Sequence, residues 1–370
     1  MEILAGEMVT GRRLTTLPIT AGGFTAALGA NGEVTCTIPL RDREVRTRVG
    51  EFFGQLEPWR SFLACQVGTQ IGEAGPIVAH DYDDTTGNLT VKAIGLRGMF
   101  AHRLAVDATA AEPQKTSLSY GPGSLGTIGK RLVQRSLANP GGTLPIVLPP
   151  DEGGTDTRTY PGHELVKIDK ALADLSDVEG GPEFSFEPRL TSDGNGIEWV
   201  MRTGITGDPL LHQSGDDWPW DPSASGGVMS LSVGRDASTR TNSVWVTGMG
   251  MDTAILLSRA TGADEWARGY PLLESTYSHS TVGKQATLDQ SPPAYRDQGS
   301  APWTTWSLQV ARDTFPTLGE YRPGDWAAVH IGTDHAYLQA GVYRSRIVSI
   351  KASAGSAVVD IELRPTLERR

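Results

Sequence analysis

The chain is poor in cysteine, with two in 370 residues. That count excludes a small scaffold stapled by several disulfides. No run of eighteen apolar residues occurs, so no segment is long enough to cross a bilayer as a helix, and no stable membrane association is expected. The opening residues, MEILAGEMVTGRR, lack the basic-then-apolar order of a secretory leader. Positive charge is also scarce. Lys and Arg number 33 against 43 Asp and Glu, which leaves a net charge of −10 and an isoelectric point near 5.2. A basic footprint for nucleic acid is therefore missing, and tight binding to it is not expected.

Turn formers, by contrast, are plentiful: 44 Gly and 23 Pro. That suits many short strands joined by tight turns better than a helical protein. At this length a chain buries roughly 75% of its extended surface, so no disulfide or metal is needed to fold it. The length also favours two or three domains.

Period-two alternation dominates residues 1–105. In VTCTIPL (34–40), Val34, Cys36, Ile38 and Leu40 share one face; in SFLACQVG (61–68), Leu63, Cys65 and Val67 do. Both cysteines read as small core hydrophobes. GPIVAHDYDDTTGNLTVKAIG (75–95) is a hairpin around Asp-Asp-Thr-Thr-Gly-Asn, and GLRGMFAHRLAV (95–106) leaves the sheet. These residues make one barrel-like β domain, 1–105.

Residues 106–227 read as an α+β insertion with a linker. Ser124 caps a helix over 124–139 carrying Leu125, Ile128, Leu132 and Val133, which Asn139-Pro140-Gly141-Gly142 stops. A second helix is predicted over 163–177, with Leu165, Ile168, Leu172 and Leu175 as its stripe. Ser-Asp-Gly-Asn then turns a hairpin between 183–190 and 196–204. Residues 228–370 return to strands and form a second β domain. Its entry, VMSLSVGRDASTRTNSVWVTGMG (228–250), reads as a strand pair: Met229, Leu231 and Val233 alternate on one arm, Val244 and Val246 on the other. A polar link, Arg235 to Asn242, joins them. Further on, Pro292-Pro293 is expected to break a helix in 283–298.

Catalytic motifs are fragmentary. His163-Glu164-Leu165-Val166-Lys167 puts a lysine where a zinc-protease helix needs its second imidazole. In GPGSLG (121–126) Pro122 occupies the position where a nucleophile elbow needs Gly, so Ser124 reads as a helix cap. His279, with Asp252 or Glu274, can be drawn as a triad, but nothing in the spacing fixes its geometry. His330 and His335, five residues apart, point to opposite faces of a strand. No metal or cofactor is called for. The most unusual composition is DDWPWD (216–221). Trp218 and Trp220 suit docking on a neighbouring domain or subunit, or else stacking on a sugar.

Several segments resemble actinobacteriophage minor tail proteins of the tail-hub family. They are GRDASTRTNSVWVTGMG (234–250), GYPLLESTYSHSTV (269–282), YRPGDWAAVHI (321–331) and YRSRIVSIKAS (343–353) in the second half. DYDDTTGNLTVKAIGLRGMFAHRL (81–104) and GGPEFSFEP (180–188) match in the first half. The resemblance implies a mainly β fold with an α+β insertion, its two tail-tube-like β-barrel domains forming a pseudo-sixfold ring as a homotrimer. It implies a structural, non-enzymatic role in the virion, assembled in the host cytoplasm. There the trimer joins the sixfold tail tube to the distal tip around the DNA exit channel. The partners implied are a distal tail or tail-tube protein and other minor tail proteins, the tape measure protein among them. Assembly contacts are then expected at Arg235, Asp236, Arg240, Asn242, Trp218 and Trp220. A carbohydrate- or receptor-binding tail module is the alternative. A cell-wall hydrolase using His163, His279 and Asp252 comes third.

Overall fold

A computed structural model describes residues 1–48, 50, 54–178, 180–222, 227–279, 283–300 and 303–369. Two compact units emerge: Met1–Leu231 with Ser307–Arg370, and Ser232–Trp306. The chain is mainly β, as the alternation implied.

In the larger unit, the thirteen-residue strand Gly341–Ser353 joins sequence-distant parts of the chain. Along one edge its first half pairs with Trp326–Ile331 and its second half with Ala21–Ala27. Its other edge pairs with Val358–Arg369. From Ala21–Ala27 the ladder continues through Glu33–Pro39, Asn88–Ile94, Gln70–Asp83, Ser61–Val67 and Glu2–Glu7 to Arg13–Thr16. Strands from 1–105 and from the C-terminal region therefore share one hydrogen-bonded sheet. Gly23 permits the join, because a β-carbon there would collide with Ala352 O. The alternation of 34–40 is as read, with Val34, Cys36 and Ile38 buried, whereas Ser61–Val67 is enclosed on both faces from Ser61 to Cys65 and Val67 is only partly buried. Both thiols are free and enclosed, and burial pushes each up to about 12. The Asp83–Asn88 turn closes as expected, with Asp83 Oδ1 accepting from Thr85 N at 2.8 Å.

The insertion packs on this sheet. Ser124 Oγ accepts from Thr127 N at 3.1 Å and caps the helix Leu125–Ala138. Ile128, Leu132 and Val133 of that helix join Leu4, Phe62, Leu96, Phe100 and Trp199 in one apolar cluster. Each such aliphatic side chain contributes about 1.5–3 kcal/mol by leaving water. Trp199 comes from the hairpin Phe184–Leu190/Ile197–Thr203 and donates its indole N–H to Ala74 O at 3.1 Å. This shared core is why residues 106–227 group with the N-terminal strands. The second helix starts later than predicted, at Ile168–Ser176. Leu165 sits at φ 48°, a left-handed value no helix accepts, and is exposed rather than part of the stripe.

The smaller unit corrects the reading of 228–250. Val228–Asp236 and Ser243–Thr247 are not paired with each other. The former neighbours Trp303–Ala311 in the large sheet. The latter is the centre of a separate three-stranded sheet, antiparallel to Leu257–Thr261 and parallel to Glu274–Ser278. The helices Gln285–Leu288 and Ser291–Ser300 contribute Leu288 and Tyr295 to the small core around Val244 and Val246. The helix expected in 283–298 is indeed interrupted, at residues 289–290 just before Pro292 and Pro293, and these prolines belong to the helix that follows. They occupy its first turn, where a missing N–H costs nothing.

Candidate interaction surface

The segment from Arg235 to Asn242 divides into an exposed half and a buried half. Arg235 and Asp236 are exposed at the end of their strand. Asp236 Oδ1 accepts from Ser238 N at 2.8 Å, and that bond holds its carboxyl below the usual carboxylate range. Arg240 is turned inward. Its guanidinium lies 3.9 Å from the Tyr270 ring centroid and donates to Glu265 Oε2 at 2.8 Å. Asn242 is fully buried. Its Oδ1 accepts from Leu273 N at 3.0 Å and Trp266 Nε1 at 3.2 Å, while Nδ2 donates to Pro271 O at 2.9 Å. Both amide atoms are thus engaged inside the small unit, and the fully buried Asn242 presents no surface to another chain. A short amide beside a strand start suits this work, because it supplies both donor and acceptor where the backbone turns away from its ladder.

Trp218 and Trp220 belong to the larger unit. Trp218–Trp220 forms a short strand parallel to Trp326–Ile331, in a stretch that the sequence assigned to the insertion and its linker. Trp220 is buried edge-on against Tyr321, ring centroids 5.3 Å apart. Trp218 donates its indole N–H to Asp325 Oδ2 at 3.2 Å, and Arg344 holds Asp217 beside it at 2.8 Å. Both indoles pack against residues of their own unit, and the buried Trp220 gives a sugar no open face.

His163 lies in a 3-10 turn of the larger unit, whereas His279 and Asp252 belong to the smaller. His279 Nε2 faces Tyr295 Oη at 3.1 Å, and no hydrogen bond among the described residues joins it to Asp252 or Glu274. Ser280 and Thr281, its neighbours in sequence, lie outside the described residues. A strand, Ser117–Gly123, does precede Ser124, but the Ser124 hydroxyl is spent on its helix cap. No group of three His, Cys, Asp or Glu among the described residues is placed to hold a metal.

Sequence reasoning missed a cluster on the face of the small sheet opposite Val244 and Val246. Arg259 lies directly across the ladder from Trp245, its guanidinium 4.4 Å from the indole centroid. Glu274 Oε1 accepts from Trp245 Nε1 at 2.7 Å and lies 3.4 Å from Arg259 Nη2. Beyond it, the hairpin tip exposes Met249, Met251 and Leu257. Trp245 stood on the polar face in the alternation, so its side of the sheet was readable. Its partners, from two other strands, were not. Stacked arginine, aromatic and exposed methionine together suit contact with protein better than chemistry on a small substrate.

No protein-family model matches the sequence, and no curated protein matches it. Solved structures do. The 43 kDa tail protein of prophage MuSo2 from Shewanella oneidensis aligns over 98% of this chain and 98% of its own, with a TM-score of 0.55 and 12% identity. The tail protein from Neisseria meningitidis MC58 aligns over 98% and 97%, with a TM-score of 0.56 and 14% identity. The chain has a tail-protein fold. Likeness over nearly the whole length takes in the insertion and the small unit as well as the large sheet. At such identities the tail-protein fold is shared as topology, and no side chain described above is carried over from those proteins.

Proposed function

We propose that this chain is a structural hub of a phage tail tip, related to the minor tail proteins of actinobacteriophages. Three copies form a ring that joins the sixfold tail tube to the distal tip and surrounds the DNA exit channel. The observation that carries this reading is the tail-protein fold, matched end to end rather than in one domain. In this reading the β regions 1–105 and 228–370 are the two tube-like halves. The region 106–227 is the insertion between them, and three chains supply six halves to the tube. Open strand edges favour such a ring, since unpaired edges are otherwise liable to aggregate. The charge of −10 per chain triples in the ring, and acid lining the channel would let DNA pass without sticking.

The ring contacts use the exposed Arg235 and Asp236, together with the Met249–Leu257 tip and the Trp245–Arg259 face of the small unit. The partners are a distal tail or tail-tube protein and other minor tail proteins, the tape measure protein among them. The role is non-enzymatic, in a virion assembled in the host cytoplasm. Light scattering and electron microscopy test the reading, with a threefold particle, or threefold density under a sixfold tube, as the expected result. A persistent 39.6 kDa monomer in the presence of its tail partners would overturn it.

A further inference from the structure

A cavity of about 110 Å³ lies within the larger unit, between the strands Ala21–Ala27, Gln70–Asp83 and Phe184–Leu190 and the turn 318–323. Its walls are largely apolar, with Phe24, Ile71, Leu96, Phe186 and Ile350 among them. Two polar side chains in the lining lack their usual partners. Tyr321 is 2% exposed, and its hydroxyl has no hydrogen-bond partner. Glu73 is 8% exposed, and its one hydrogen bond is Oε1 accepting from Ala74 N at 2.9 Å. Its other oxygen lies over Gly32, where a β-carbon would collide with it, so that glycine makes room for the carboxylate.

The remaining charged groups in the lining are already matched. Arg97 donates to Asp169 Oδ1 at 2.8 Å and to Gly29 O at 3.1 Å. Arg322 pairs with Glu187. No ion pair is formed by Glu73 among the described residues, and burial pushes its carboxyl up to about 8. A carboxylate enclosed this way is costly unless a cation meets it. The cavity thus joins one uncompensated acid, one idle hydroxyl and a short apolar wall.

We propose that this cavity binds a small primary ammonium ion with a short hydrocarbon body. The ammonium sits on the Glu73 carboxylate and donates a second hydrogen bond to Tyr321 Oη, while the hydrocarbon lies against Phe24, Ile71 and Phe186. An ammonium carries three donors and no acceptor, so it can hydrogen-bond the carboxylate and the Tyr321 hydroxyl oxygen at once. This site is independent of the role in the tail.

Binding requires ionised Glu73, so below its pKa the ligand must displace a proton. Affinity for an amine that stays charged should rise about tenfold per pH unit from pH ~6 to ~8 and then level off. The test is calorimetric titration of the full chain with butylammonium chloride and with 1-pentanol, a neutral probe one methylene longer, across that range. The expected result is butylammonium binding with this slope and pentanol binding, if any, without it. Glu73→Gln should lose the ammonium and its slope, and Tyr321→Phe should weaken it severalfold with the slope intact. No butylammonium binding above pH ~8, equal binding by Glu73→Gln, or binding indifferent to pH would each overturn the proposal. Should Glu73→Gln fail to fold, the slope in the natural chain and the Tyr321→Phe titration decide the matter.

Discussion

Arg346 Nη2 lies 2.5 Å from Glu183 Oε2, and the same nitrogen reaches Leu211 O at 2.7 Å. Its Nε donates to Gly324 O at 2.9 Å. One enclosed guanidinium thereby ties the longest C-terminal strand to the start of the insertion hairpin and to the turn before Trp326. The planar fork meets these three acceptors from two separate nitrogens, a spread that the single ammonium of a lysine does not reproduce. Arg346→Met leaves Glu183, which keeps Leu211 N–H at 2.8 Å, without its cation, and two carbonyls without their donor, and is expected to cost about 3–5 kcal/mol. Arg346→Lys keeps the charge without the fork and should fall between the two. Urea unfolding followed by tryptophan fluorescence ranks the three proteins, and equal midpoints would remove the bridge from the account.

Glu73 sets a pH dependence of stability. Its carboxyl is raised from 4.5 to about 8 in the folded chain, so between those values the unfolded chain releases a proton that the folded chain keeps. The sign follows: stability falls as pH rises through that window, and it is unaffected by Glu73 below it. Glu73→Gln removes the penalty. It should match the natural protein near pH ~4 and exceed it by a few kcal/mol (~2–5) above pH ~8. Thermal melts in that pH series check this, and a gap that stays constant with pH would refute it.

Much of the larger unit was legible because its signals are local. Cys36 and Cys65 stood on apolar faces and are buried; Ser124 stood before a 3.6-residue stripe and caps it; Asp83–Asn88 had turn chemistry and turns. What failed was partnership at a distance. Alternation assigns a residue to a face of a sheet but does not say which strand lies beside it. Val228–Asp236 and Ser243–Thr247 looked like two arms of one hairpin and belong to different sheets. The pairing of Ala352 with Phe24 spans most of the chain and leaves no local trace beyond a glycine at 23. The candidate contacts failed for a related reason. Polar residues in a link read as solvated, yet Asn242 is polar because the buried chain around it needs a donor and an acceptor.

Asn242 therefore belongs to the stability of the small unit. Asn242→Ala strands Leu273 N, Trp266 Nε1 and Pro271 O, each of which now bonds to the amide. A loss of about 2–4 kcal/mol is expected, since an enclosed polar group left unpaired costs about 1–3 kcal/mol and part is recovered by relaxation. Hydrogen exchange should show it as faster opening of Ser243–Thr247, with Glu33–Pro39 in the larger unit unchanged. Uniform acceleration of both strands, or of neither, would contradict that assignment.

Arg235 and Asp236 test the opposite case, a pair placed for contact rather than for folding. Both are exposed, and the Asp236 carboxylate is already satisfied locally by Ser238 N. Charge reversal at Arg235 leaves no buried group unpaired, so Arg235→Glu should change stability by no more than about 0.5 kcal/mol. A rim charge acts on encounter and on rejection of like charge, so its effect should appear in association. The Arg235→Glu chain is expected to melt like the natural protein, yet to form the higher-order particle more slowly and with altered salt dependence. Sedimentation velocity in low and moderate salt separates these effects. Unchanged assembly in both salts would move the contact away from this strand end, leaving the Met249–Leu257 tip to be tested next by Met251→Lys.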